Sequence, residues 1–404
     1  MQQNLIDALC PVVWLAGDAM TVAHMPAIPV KRPFQDDILD FLNEISRYLM
    51  RDSRSKGYSD VFTLAFWLRK SSTMKLREKF GYDRNMCLRL GRGVIFHIAP
   101  SNVPVNFAYS LAAGLLTGNS NIVRVPSKYF AQVTIITEAL HKALDVIPEM
   151  RPYIALIQYE HDKTVNDSLS YIADTRIIWG GDATVTELRK SPLQPRSIEV
   201  AFSDRYSIAV IDAEVYLSIG NKAAVAQDFY NDTFFSDQNA CTSPRLVAWL
   251  GNNRIEAKRL FWANLHAVVE RKYQFQPIQG VNKLVSGCLA AIQWPDARIE
   301  PHNDNLIQRV WVPKITNDLM ELKDNSGYFF EYDCDDILEL RPLCDDKRCQ
   351  TVALLGDKSI LCPLLESAPR GIDRVVPIGK TMDFDLIWDG YELPVVLTRS
   401  ISGI

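Results

Sequence analysis

The sequence is short of charge of any one sign. Its 44 Lys and Arg nearly balance 48 Asp and Glu, for a formal net charge of -4. The charges are interspersed, with no basic stripe and no acidic tail, which argues against a nucleic-acid partner and against an adaptor role. Long hydrophobic runs are missing too. The longest, around Phe107 to Leu116, is too short and too interrupted to span a bilayer. Only a peripheral membrane contact, through an apolar substrate mouth, stays open. The six histidines form no His-x-x-x-His pair. The eight cysteines (Cys10, Cys87, Cys241, Cys288, Cys334, Cys344, Cys349 and Cys362) form no Cys-x-x-Cys pair. Cys334, Cys344 and Cys349 sit among Asp335, Asp336, Asp345 and Asp346, which reads as a solvated loop rather than a zinc site, so no metal is expected. No Gly-x-Ser-x-Gly elbow supports a serine hydrolase. Gly91 and Gly93 lack the third glycine of the dinucleotide fingerprint and precede their strand. The start, Met1-Gln2-Gln3-Asn4, lacks the basic and apolar regions of a signal peptide. Together with scattered cysteines, this leads us to expect a reducing, cytoplasmic setting.

What is present is a large stock of core residues: 48% of 404 are hydrophobic, enough for two or three domains. Asp36 to Met50 places Ile38, Phe41, Leu42, Ile45 and Leu49 on one helical face, and Val61 to Leu68 continues as an aromatic-rich helix. The pattern then alternates. Strands are expected at Val94–Ile98, Asn121–Val125, Tyr153–Tyr159 and Arg176–Trp179, with helices at Val105–Leu116 and Phe130–Leu144. A second alternating set runs from strand Ser207–Ile211 through helix Ala223–Phe235, strand Leu246–Leu250 and helix Arg254–Tyr273. Strands near Ile307–Val312, Gly327–Tyr332 and Thr351–Leu355 complete it. Such alternation predicts parallel sheets covered by helices, here as two doubly wound domains with a crevice between them. We place the boundaries at 1–205, 206–380 and 381–404. The last segment, with Phe384 to Ile401 strand-like around Asp389-Gly390, is read as a β arm that could pair with another subunit.

Four segments carry chemistry. Cys241 lies between a polar Gln238-Asn239 turn and Thr242-Ser243, a wet loop unlike the apolar core that houses structural cysteines. A nucleophilic thiol works as thiolate, which a helix end, backbone amides or a cation can stabilise. Arg245 is the nearest cation, and a salt-bridge role for it stands as the alternative. Pro100-Ser101-Asn102-Val103-Pro104 follows a strand and opens a helix, where free amides and the Asn102 side chain could hold an oxyanion. Asn102 as a simple helix cap is the competing reading. Arg124, Ser127 and Lys128, at the end of a strand, suit a ribose or a phosphate, or else Ser127 caps the next helix. Gly180-Gly181 lets backbone amides approach a diphosphate at a helix start. His97, in an apolar strand, reads as a core histidine.

Taken in order, these segments resemble the aldehyde dehydrogenase superfamily, and more closely the LuxC-type acyl-CoA reductases, also called fatty acid reductases. Pro100-Ser101-Asn102-Val103-Pro104 is similar to the superfamily's Pro-Trp-Asn-x-Pro. Gly118-Asn119 and Arg124-Val125-Pro126-Ser127 resemble its Gly-Asn and ribose-binding strand end. Gln238-Asn239-Ala240-Cys241-Thr242-Ser243-Pro244-Arg245 looks like the nucleophile segment, and Arg374 to Gly379 and Trp388-Asp389-Gly390 resemble C-terminal segments of the reductases. The similarity covers Arg89 to Ile404. It is strong around Cys241 and the C-terminus, weaker at Gly180-Gly181 and nearly absent before residue 85.

The resemblance implies an aldehyde-dehydrogenase-like α/β fold and a cofactor-binding first domain ahead of a catalytic second one. It also implies an NADPH-dependent reductase of fatty acyl thioesters. Cys241 and Asn102 would be catalytic. Arg124, Ser127 and Lys128 would hold the adenosine end, Gly180 and Gly181 the diphosphate, with Pro100 and Ser101 beside the cofactor. Two departures sharpen this. The superfamily's oxidising members carry a Glu-Leu-Gly-Gly whose glutamate activates water; here that stretch reads Ala201-Phe202-Ser203-Asp204, with Glu199 out of register. Without a placed base an acyl-enzyme should resist hydrolysis. NAD-using relatives hold both ribose hydroxyls with an acid; here Ser127-Lys128, near Arg124, fits a 2′-phosphate. The acyl donor implied is a fatty acyl-CoA or an acylated partner protein, within an acyl-transferring assembly, and the chain is expected to be a homo-oligomer. The alternatives are a CoA-acylating aldehyde dehydrogenase working oxidatively, and an inactive acyl-transfer scaffold.

Overall fold

Val94–Ile98 is buried at all five positions, as a strand covered by helices on both faces must be. It forms the centre of the first of two parallel sheets. The computed structural model describes residues 2–81, 88–301 and 304–403; Cys87 lies outside them. The chain divides into two units, one of residues up to Ser203 together with Leu386 onward, the other Asp204–Asp385.

The first unit's strands are Val13–Ala16 (β1), Leu88–Gly91 (β2), Val94–Ile98 (β3), Ser120–Arg124 (β4), Ile154–Gln158 (β5), Thr175–Trp179 (β6) and Ile198–Phe202 (β7). Its main sheet has the order β1-β5-β4-β3-β6-β7. All neighbours are parallel except β1, which runs antiparallel to β5. The chain winds from β3 outward to β5, then returns to the other side of β3 for β6 and β7. The direction reverses between β3 and β6, the switch point where open α/β sheets bind ligands. Register keeps the ends level: Ile98 pairs with both Arg124 and Ile178. Helix Asp36–Arg51 buries Ile38, Phe41, Leu42, Ile45 and Leu49, as its periodicity predicts. Its acidic first turn and basic last turn suit the helix dipole.

The second unit contains Tyr206–Asp212 (β8), Pro244–Leu250 (β9), Arg298–Ile299 (β10), Gln308–Trp311 (β11), Tyr328–Asp333 (β12), Cys349–Leu355 (β13) and Arg374–Pro377 (β14). They assemble as β10-β11-β12-β9-β8-β13-β14, parallel apart from the edge strand β10. Successive side chains point to opposite faces and both faces are buried. Ile208, Val210, Leu246 and Ala248 enter one apolar cluster, while Ala209, Ile211, Val247 and Trp249 enter the other. The α/β class and the doubly wound parallel sheets are those expected from the alternation.

The C-terminal segment is less continuous than its strand-like pattern suggests. Ile387–Trp388 (β15) and Tyr391–Glu392 (β16) form a hairpin turned by Asp389 and Gly390, both at positive φ. Leu393–Val396 is then a helical turn, because Pro394 cannot donate to a ladder. Thr398–Ile401 (β17) pairs antiparallel with β2 of the same chain.

Asn119 clasps that last strand. It is 1% exposed. Its Oδ1 accepts from the Arg92 and Gly93 amides at 2.6 and 3.1 Å, and its Nδ2 donates to Thr117 Oγ1 at 2.9 Å and the Leu397 carbonyl at 3.0 Å. Gly118 beside it sits at φ 83, where a Cβ would meet the Lys31 carbonyl oxygen at 2.2 Å. The Gly-Asn pair therefore shapes the backbone. Substituting Asn119→Ala would strand several buried partners. It is expected to cost about 3 kcal/mol, measured by urea unfolding, and to speed amide exchange across 398–401.

Candidate active site

Helix Lys222–Asp232 ends sooner than the expected Phe235. The Thr233 hydroxyl folds back onto the Phe229 carbonyl at 2.6 Å, and Phe234–Ser236 tightens into a 3₁₀ turn. Asp237 and Gln238 then both adopt left-handed backbone, at φ 51 and 59, a conformation costing non-glycine residues of order 1–3 kcal/mol each. The Gln238 side chain holds this turn in place. It is fully buried; its Nε2 donates to the carbonyls of Pro244 and Tyr328 at 2.9 and 3.0 Å. Its Oε1 accepts from the amides of Gly327 and Tyr328 at 2.9 and 3.2 Å. Two donors and two lone pairs are all used. Cys241, three residues on, is exposed at the amino end of β9, and its carbonyl accepts from Ser207 Oγ at 2.8 Å.

Arg245 is 6% exposed. Its Nη1 donates to the Asp324 carbonyl at 2.6 Å and to Asn325 Oδ1 at 2.5 Å, so its direct partners are neutral oxygens rather than the carboxylate of a salt bridge. Burial pulls its pKa down to about 10, and a charge on Cys241, then on Asp324, pulls the other way. A thiolate at 241 and this guanidinium thus stabilise each other. Asn325 also donates to Asn239 Oδ1 at 2.6 Å, so one amide grips the turn on both sides of the cysteine. The 324–328 segment is itself anchored. Lys283, 1% exposed on helix Pro277–Gln293, donates to the carbonyls of Asn305, Leu306 and Ser326, the latter two at 3.0 and 2.8 Å. Burial lowers its pKa to about 8. On the other flank, buried Asp232 accepts from the amides of Gly379 and Thr381 at 2.6 and 3.0 Å. Thr242 Oγ1 lies 3.2 Å from Met382 Sδ.

In the first unit the level ends of β3, β4 and β6 bring three of the predicted segments to one edge of the sheet. Asn102 is exposed in a bend, four residues before the helix that starts at Asn106; the cap position is Val105. Capping is therefore not the role of Asn102. Ser101 is exposed in the same bend, and Pro100, just before it, is half-buried. The guanidinium of Arg124 lies 4.5 Å from the centre of the Tyr159 ring and donates to the Tyr159 carbonyl at 3.2 Å. Ser127 Oγ donates to the same carbonyl at 3.4 Å and does not cap the helix, which begins after Phe130. Lys128 is exposed, 5.3 Å over the Phe130 ring. Gly180 gives its amide to the Phe202 carbonyl at 3.1 Å, and Gly181 takes the cap position of helix Asp182–Leu188. Glu199, out of register in the sequence, is bound by Arg176 at 2.6 Å and Arg189 at 2.7 Å, a poor state for a general base. His97 is fully buried between Ser110 Oγ and Asn121 Oδ1, its pKa lowered to about 4 by burial.

A model of the acyl-CoA reductase (LuxC) family matches residues 27–280, more than half of the chain. The chain belongs to this family. It is 24% identical over 298 residues to a long-chain acyl-protein thioester reductase of Aliivibrio fischeri, covering 72% of this chain and 60% of that protein. A protein of the same name from Photorhabdus luminescens is 22% identical over 312 residues, covering 75% and 61%. The chain thus spans about 60% of the length of these relatives. Among solved structures, aldehyde dehydrogenase 21 from Physcomitrella patens superimposes with a TM-score of 0.68 at 10% identity, over 99% of this chain and 89% of that one. Lactaldehyde dehydrogenase from Escherichia coli gives 0.62 at 12% identity, over 99% and 91%. At such identities the likeness is one of fold.

In this LuxC-family chain, sequence reasoning passed over Lys283, Asn325 and Ser326. Only Lys283 left a trace, as the sole charge in Pro277–Gln293. It also yields a test. The unfolded lysine titrates near 10.4, above the folded value of about 8. The unfolded chain therefore holds this proton more tightly, and stability rises with pH between about 8 and 10 on its account. Unfolding measured across that window in wild type and Lys283→Met should show the rise flattened in the variant.

Proposed function

We propose that this LuxC-family chain reduces long-chain fatty acyl thioesters to aldehydes through an acyl group carried on Cys241. The observation that supports it is an exposed thiol on a strained, fully hydrogen-bonded turn, with a buried guanidinium whose charge couples to it. In this reading the Cys241 thiolate attacks the thioester carbonyl. The Asn102 amide and the Cys241 backbone N–H hold the developing oxyanion, and the carrier thiolate departs, leaving acyl-Cys241. Glu199, tied to two arginines, is not a free carboxylate for activating water. The acyl group waits for reduction, after which the thiohemiacetal on Cys241 collapses, releasing the aldehyde and restoring the thiol. The names of the relatives favour an acylated protein as donor, with acyl-CoA as the simpler form.

A nicotinamide dinucleotide suits the switch point of the first sheet, and when bound it supplies the hydride. Arg124, Ser127 and Lys128 would take its adenosine end, Gly181 the diphosphate with Gly180, its own amide given to Phe202, lining the approach, and Pro100 and Ser101 would flank it. The donor set there is cationic, with serine at 127 and Arg124 held over Tyr159, which favours NADPH.

Mixed with a long-chain acyl thioester and no NADPH, the protein should gain one acyl mass in intact mass spectrometry, and Cys241→Ala should gain none. Acylation of Cys241→Ala would overturn the scheme. For the cofactor, Arg124→Ala and Lys128→Ala should each weaken NADPH about 10- to 100-fold while sparing NADH, the loss of one charge-assisted phosphate contact. Equal loss for both cofactors, in steady-state kinetics, would count against the 2′-phosphate assignment.

A further inference from the structure

An open groove of about 320 Å³, the size of a small-molecule site, lies beside the turn that carries Cys241. Three helices wall it. Helix Lys222–Asp232 brings Tyr230, Tyr273 follows the end of helix Arg254–Lys272, and Gln276 and Gln279 sit at the start of helix Pro277–Gln293. The floor is aromatic. The rings of Tyr230 and Phe234 stack with centres 5.7 Å apart, and Tyr273 meets Phe234 edge-on at 5.1 Å. The remainder is polar. The Tyr273 hydroxyl donates to Asp237 Oδ1 at 2.6 Å and accepts from Gln279 Nε2 at 3.0 Å. Gln279 Oε1 accepts from the Gln276 backbone amide at 2.8 Å, and Gln274 adds an exposed amide side chain. Lys272, next to Tyr273, donates from Nζ to Gln227 Oε1, about one helical turn before Tyr230. A cation thus stands at the rim, while the acid in the lining, Asp237, already accepts from tyrosine.

We propose that this groove holds the phosphopantetheine arm of the acyl donor, the part common to acyl-CoA and to acylated carrier proteins. The inference rests on the acyl-Cys241 reading and adds the place of the carrier. Location supports it. Asp237 lines the groove four residues before Cys241, a stretch that spans at most about 14 Å when extended. Here it is folded, with the Asn239 amide on the Ser236 carbonyl at 2.8 Å. The separation is within the length of an extended pantetheine arm. The chemistry matches as well. The arm carries two amides, a hydroxyl and a branched carbon, and ends in a phosphate. Glutamine side chains both donate and accept, which answers each amide. Aromatic faces suit the branched carbon, and Lys272 suits the phosphate as a point charge. The acyl chain itself fits the groove badly. An alkyl chain would cover the amides and the hydroxyl without replacing their hydrogen bonds to water.

Titration calorimetry of Cys241→Ala with 4′-phosphopantetheine reads the groove without the chemistry. Binding at about 1 mM or tighter is expected. Adding Gln274→Trp, which fills the groove from an exposed position, should weaken it about 10-fold with the circular dichroism spectrum unchanged, and adding Lys272→Ala should also weaken it, by the loss of one phosphate contact. Coenzyme A binding about 10-fold more tightly than the bare arm would identify it as the carrier, whereas equal binding would point to a carrier protein. In the acylation assay, Gln274→Trp with Cys241 intact should slow transfer from acyl-CoA about 10-fold and leave transfer from a mercaptoethanol thioester of the same chain unchanged. No binding of the arm, binding that both variants leave intact, or equal slowing of the two thioesters would overturn the proposal. A wild type that binds the arm but never gains an acyl mass would instead overturn the acyl-Cys241 reading and leave the arm site standing.

Discussion

Everything around Cys241 depends on one buried amide. Gln238 joins the turn before the cysteine to the start of β9 and the start of β12 by four hydrogen bonds. Two adjacent non-glycine residues in left-handed backbone would not persist on local energetics alone. They persist here because leaving four polar groups unpaired in a dry interior costs more than the strain. The same lock keeps the thiol in solvent while the residues that hold it stay inside.

Around this lock the second unit builds a scaffold of long-range polar contacts. Arg245 and Asn325 grip both sides of the turn that carries Cys241, Lys283 fixes the segment that carries Asn325, and Asp232 holds the loop next to Thr242. Each is buried or half-buried and spends its hydrogen bonds on backbone or neutral amides. A charged side chain in such a place orients a site only while its partners stay satisfied. The first unit works differently. There the polar residues stand at the ends of parallel strands, and their placement follows from the order of those strands rather than from a network.

The strands were largely legible because their cause is local. Val94–Ile98 and Tyr206–Asp212 are mostly apolar, broken only by His97, Ser207 and Asp212, and that marks strands covered on both faces. The Asp36–Arg51 helix follows from its periodicity. Boundaries slipped where a side chain competed with the backbone, as at Thr233, or where a proline broke a ladder, as at Pro394. The site was legible in part. Cys241 and Arg245 stood out by residue type, but whether Asn102 and Ser127 were caps could be decided only once the true helix starts were known.

The sequence by itself determined the chemistry on offer: a thiol in a polar turn, a cationic strand end without an acid, glycines before a helix, and two alternating sets of elements. It could do so because propensity and hydrophobic period act between near neighbours. Only the tertiary structure decided which groups support the thiol, that Glu199 is occupied by Arg176 and Arg189, and that Gly118-Asn119 clasps the C-terminal strand. Asn119 meets Leu397, and Gln238 meets Tyr328, across 278 and 90 residues of chain. A contact that spans such a distance leaves no period in the sequence between its ends.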